Sequence, residues 1–113
     1  MDASTRQHAV MIAMSARVRP TAGIDSVRTL ERDLRSRYES LPISPHQYLV
    51  RFSDGPVLVT DELGSLRLDV VVADERSARH FVDSFRSELD IRTLRGSLAV
   101  SWSRDATAAV PLR

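Results

Sequence analysis

Two hydrophobic periods take turns along this chain, and their order constrains the fold more than any composition figure. From residue 8 to 19, Val10, Ile12, Met14, Ala16 and Val18 share one parity, while Met11, Ala13, Ser15, Arg17 and Arg19 share the other. A period of two predicts a half-buried strand, and Pro20 predicts its end. From 22 to 41 the period changes. Ile24, Val27, Leu30, Leu34, Tyr38 and Leu41 recur at steps of three and four, one stripe of an amphipathic helix. Glu31 with Arg35 and Asp33 with Arg37 are acid-first pairs four residues apart, each worth ~0.2–0.5 kcal/mol. Pro42 and Pro45 mark the stop.

The period of two returns at His46 to Ser53, where Tyr48, Val50 and Phe52 alternate. Asp54-Gly55-Pro56 is a turn signal. Val57 to Thr60 reads as a short strand or an extended arm, and Asp61 to Gly64 turns again. Leu66, Leu68, Val70 and Val72 alternate through a third main strand. Asp74 is a plausible N-cap, and Ala78, Phe81, Val82, Phe85 and Leu89 follow at helical spacing. Ile91 to Leu94 reads as a short extended piece that Gly96 breaks. Leu98, Val100 and Trp102 alternate through a last strand.

The order is strand–helix–strand–strand–helix–strand. It predicts an α+β, ferredoxin-like βαββαβ two-layer sandwich, with an antiparallel sheet and both helices on one face. The expected organisation is a flexible N-terminus over 1–7, one domain over 8–103 and a flexible tail over 104–113. A length of 113 residues fits one domain.

Composition narrows the chemistry. There is no Cys, which removes disulfides, thiol catalysis and Cys-ligated metals. All 16 basic residues are Arg, as codon usage in a GC-rich genome would produce, and the net charge is only +1. Such a balance gives no general pull toward nucleic acid or an anionic membrane. No apolar run approaches the ~18–20 residues that span a bilayer, and the polar N-terminus is unlike a signal peptide. The expectation is a cytoplasmic protein that needs no cofactor.

No catalytic motif emerges. His8, His46 and His80 are far apart and form no ligand spacing, so no metal is expected. Glycine-rich phosphate loops and a nucleophile elbow are absent. Asp69 interrupts an apolar strand and is expected to face outward near Arg67, Arg17 or Arg51. The first helix carries Arg28, Arg32 and Arg35 on one side, a possible anion or partner patch, but Glu31, Asp33 and Glu39 interleave with it.

The more informative feature is the parity left over. If the large apolar parity packs under the helices, the open sheet face holds Met11, Ala13, Ser15 and Arg17 from the first strand. Leu49 and Arg51 come from the second, Arg67, Asp69 and Val71 from the third, and Ala99 and Ser101, with Ser103, from the last. Its middle is small and half-apolar, which lets a second layer approach closely. The expected function is a non-catalytic interaction or regulatory module that self-associates, as a dimer, or docks a protein partner through this face or a sheet edge.

Length and element order also resemble the dimeric α/β-barrel group of small monooxygenases, isomerases and ligand-sensing domains. That resemblance implies, as the alternative, an enzyme or sensor with a cavity lined by residues such as His46, Tyr48, His80 or Trp102. Nucleic-acid binding through the helix-1 Arg ridge is a third reading; an RNA-recognition module that stacks bases on its sheet is disfavoured by an open face without aromatics.

Overall fold

A computed structural model describes residues 11–21, 25–52, 55–91, 97–105 and 107–112. Strand β1 (Ile12–Pro20) is followed by helix α1 (Asp25–Arg37) and then by four strands in succession: β2 (Ser40–Ser44), β3 (Gln47–Phe52), β4 (Gly55–Asp61) and β5 (Leu66–Val72). Helix α2 (Glu75–Ile91), β6 (Leu98–Asp105) and a short 3₁₀ turn (Val110–Leu112) complete the chain. The strands form one antiparallel sheet in the order β2-β3-β4-β5-β1-β6.

This order corrects the expected ferredoxin-like βαββαβ sandwich. The sheet has six strands, and α1 leads into a meander of four rather than into a single hairpin. The physical reason lies at Leu41-Pro42 and Ser44-Pro45. A residue before proline is pushed out of the helical region toward extended backbone. The helix ends at Arg37, and Ser40–Ser44 becomes an edge strand, where a proline's missing N–H can face outward without breaking a pairing. Leu41 leaves the helical stripe and pairs with Leu49. Gly55 and Pro56, read as a turn, belong to β4, opposite Phe52 and Arg51.

The other elements follow from local chemistry. Asp74 caps α2, its Oδ1 accepting from the Ser77 amide at 2.8 Å. Arg35 and Arg37 sit in the last turn of α1, where positive charge complements the helix dipole. The β4–β5 turn carries Leu63 (φ 59°) and Gly64 (φ 117°) in the left-handed region. Leu63's amide donates to Asp61 Oδ1 at 2.9 Å, an Asx turn.

The core lies between the helices and one face of the sheet. Met14, Ala16, Val18, Tyr48, Val50, Phe52, Val57, Val59, Leu66, Leu68 and Val70 meet Val27, Leu30 and Leu34 of α1 and Ala78, Phe81, Phe85 and Leu89 of α2. Phe52 makes edge contacts with Phe81 and Phe85, as does half-buried Trp102. The gap beneath Leu34 and Phe85 is about 10 Å³, at the lower limit for a single water, and a gap of about 260 Å³ opens at the α2 margin beside Phe52, Val70 and Ser77. Residues 8–10, 22–24, 54, 92–94 and 96, which carried parts of the sequence expectations, lie outside the described residues.

Candidate docking surface

The open-face residues named from the sequence that fall within strands lie on the sheet face away from the core, while Met11 precedes β1, and the register arranges the face in rows. One row runs Leu41, Leu49, Leu58, Asp69, Ser15, Ser103 from β2 to β6, and the next runs Gln47, Thr60, Arg67, Arg17, Ser101. Ala13 stands opposite Val71 and Asp105, and Arg51 opposite Pro56. Met11, Arg51, Ala99 and Ser101 are exposed; Ala13, Arg17, Leu49, Arg67 and Val71 are half-buried.

Two of the residues are buried despite their position. Ser15 is 5% exposed and Asp69 6%. Leu58 on the same face is 1% exposed. Ser15 is enclosed by its cross-strand neighbours Asp69 and Ser103 and by Asp105; at Asp69 and Leu58 the cause is the C-terminal segment. After β6, residues 107–112 return across the sheet, and the 3₁₀ turn lies against β4. Thr107 to Pro111 line a depression with Gln47, Leu58, Thr60, Arg67, Asp69 and Asp105. The β4–β5 half of the face is therefore covered from within the chain.

Polar groups beneath and beside that segment are satisfied. Arg67 Nε lies 3.2 Å from both oxygens of Asp69, and Arg67 Nη2 lies 3.7 Å from Asp105 Oδ1. Burial raises the Asp69 carboxyl above its ordinary range; the Arg67 guanidinium opposes this, and Asp105 and Glu62 add to it. Arg17 and Arg67 face each other across β1 and β5, a like-charge pair that costs energy. Arg17 Nε answers with Glu62 at 3.5 Å. Ser15 Oγ lies 3.0 Å from Ser103 Oγ and donates to Asp105 Oδ1 at 3.4 Å.

The helical patch divides. Arg28, Arg32 and Arg35 are all exposed, but Arg35 pairs with Glu31 at 3.8 Å and lies 4.1 Å over the Tyr48 ring. The Tyr48 hydroxyl donates to Glu31 Oε2 at 3.1 Å, and burial, with the Glu31 charge, raises its pKa. Arg35 thus braces α1 against β3. His46 in the β2–β3 turn and His80 on α2 are exposed at separate places, and His8 lies outside the described residues. Among the described residues, no group of three or more His, Asp or Glu side chains could hold a metal ion, and no helix is long and apolar enough to cross a membrane.

The two sheet edges differ sharply. Antiparallel partners alternate between pairs that exchange hydrogen bonds and pairs whose N–H and C=O point outward. At the β2 edge, the Arg51 amide donates to Glu39 at 2.9 Å. Counting along the register, Ser40 and Pro42 then point outward. Pro42 has no N–H to offer, and the register shifts between Pro42 and Ser44, so this edge is blunted.

At the β6 edge, the Thr21 amide donates to Ser97 O at 3.0 Å. Ala99, Ser101, Ser103 and Asp105 therefore bond to β1, and Leu98, Val100, Trp102 and Arg104 turn their backbone groups outward. No described backbone group pairs with that side. β6 is eight residues long, with no proline and no bulge in its pairing. Arg104 is tied inward by a bidentate pair with Glu75, at 2.8 and 3.0 Å.

The open face was legible from parity; the covering segment and the bare edge were not. A signal for the cover exists in Val57-Leu58-Val59. Three apolar residues in succession mean a strand buried on both faces, so something must lie over Leu58. The edge depends on strand order, which the sequence does not display.

No protein-family model matches this chain, and neither a curated protein nor a solved structure matches it.

Proposed function

We propose that this chain is a non-catalytic interaction module that self-associates through the β6 side of its sheet. The observation that supports it is the asymmetry of the edges: β2 is blunted by Pro42, while among the described residues the N–H and C=O of Leu98, Val100, Trp102 and Arg104 on β6 have no strand partner. A long unguarded edge is a template for pairing with another chain. The exposed residues beside it, Ala99, Ser101 and Ser103, are small enough not to obstruct an incoming strand. The cavity reading has less to stand on: the gap beneath Leu34 and Phe85 is about 10 Å³, and the larger one at the α2 margin, about 260 Å³ beside Phe52 and Ser77, is lined by none of His46, Tyr48, His80 and Trp102. Sedimentation velocity and native mass spectrometry across a wide concentration range test the proposal. An assembly larger than one chain is expected; a monomer at every concentration overturns it.

A further inference from the structure

We infer that the partner on β6 is a second copy of this chain, paired antiparallel about a two-fold axis at Ser101. This inference rests on the self-association reading and specifies its geometry.

The register follows from which backbone groups no described residue pairs with. The outward residues are Leu98, Val100, Trp102 and Arg104. In a symmetric antiparallel pair, outward residues must face outward residues. An axis at Val100 leaves Arg104 reaching past the start of the partner's β6, and an axis at Trp102 leaves Leu98 reaching past its end. Only the axis at Ser101 pairs all four, setting Leu98 opposite Arg104 and Val100 opposite Trp102.

Side-chain chemistry agrees with that register. Val100 and Trp102 are half-buried apolar residues packed at the margin of the core, and the pairing sets each against the other's counterpart, where cross-strand aromatic and β-branched pairs are favourable. Arg104 faces a leucine rather than its own mate, which lies about 20 Å away along the strands. On the open face Ala99 meets Ser103, and Ser101 meets itself, all small. The assembly closes at two chains, because an isologous contact uses the same edge of both copies and the outer β2 edges are blunted by Pro42.

The cysteine-free chain makes a clean test. Ser101 sits at the axis in a pair without backbone hydrogen bonds, where Cα atoms stand about 4.5 Å apart, within disulfide reach. Mild oxidation of Ser101→Cys should give a covalent dimer. Ala99→Cys and Ser103→Cys should each stay unlinked, since like positions lie about 14 Å apart; mixed together they should give the heterodimer. Ser101→Lys, at an exposed position, should weaken dimerisation at least about tenfold by opposing like charges. A dimer by mass whose cross-links do not follow this pattern, or that tolerates Ser101→Lys, overturns the register and leaves self-association standing. A monomer at every concentration overturns both.

Discussion

Leu58 provides the sharpest test of how the open face is built. Its side chain points away from the helices, yet it is 1% exposed because residues 107–112 lie over that part of the sheet. Replacing a buried leucine by alanine costs about 2–5 kcal/mol. Deleting residues 107–113 would turn the same position into an open-face residue between Leu49 and Asp69. Burying a leucine is worth about 1.5–3 kcal/mol relative to leaving it exposed, so most of the cost of Leu58→Ala should vanish in the shortened chain. A double-mutant cycle should then show a coupling of at least about 1 kcal/mol between the substitution and the deletion. Urea unfolding of the four proteins at one protein concentration measures it, the fixed concentration removing the effect of assembly on apparent stability. Equal costs of Leu58→Ala in the full and shortened chains would refute the covering role of the segment.

Three further outcomes follow from the same geometry. Tyr48→Phe removes the hydroxyl that donates to Glu31 at 3.1 Å and should cost about 0.5–1.5 kcal/mol in chemical denaturation; no loss would mean the bond is not formed in solution. Leu63 is 84% exposed and held at φ 59°; Leu63→Asn should raise stability by up to about 1 kcal/mol, since asparagine enters the left-handed region more readily, and a lower melting temperature would contradict this. Asp69 binds its proton more tightly folded than unfolded, so ionising it weakens the fold. That cost is absent below its ordinary value of 3.8, grows as pH rises through it, and is complete above the raised folded value. Asp69→Asn removes this contribution, so its stability relative to the parent should climb with pH across that window; parallel curves would show that the carboxyl is not perturbed. Asp74 and Glu75, held low by the Ser77 amide and by Arg104 respectively, titrate alike in both proteins and cancel.

Periodicity identified what local physics decides. β1, β3, β5, β6, the second helix and the body of the first lie where alternation and the three-to-four spacing place them, though α1 stops at Arg37 short of Tyr38 and Leu41, and Asp74 caps α2 as its position predicts. The expected fold failed at Pro42 and Pro45. Prolines end helices and also occupy edge strands, and the sequence around them supports both outcomes. The choice is made by tertiary pairing: Leu41 against Leu49 and the Arg51 amide on Glu39 secure Ser40–Ser44 beside β3. β4 was ambiguous for a related reason. A short apolar run fits a buried strand or an extended arm, and only its two neighbours, β3 and β5, settle the matter.

The site was legible on one axis and hidden on the other. Side-chain parity along a strand says which face a residue occupies, so Ala13, Ser15, Arg17 and Ser101 fall into one group by alternation alone. Backbone hydrogen bonds lie at right angles to those side chains, in the plane of the sheet. Whether Trp102 offers its amide to a neighbour or to the outside depends on which strand stands beside β6 and in what register, and no residue type encodes that. Proline is the exception, since it deletes a donor wherever it falls. Pro42 lacks an amide on the outer side of β2, and Pro20 sits where β1 runs past the last β5 pair at Leu66, so its missing donor deprives no strand. Pro56 falls two residues before Leu58, where β4–β5 pairing begins. In this chain three prolines thus mark where pairing stops, and β6, which has none, is where it can continue.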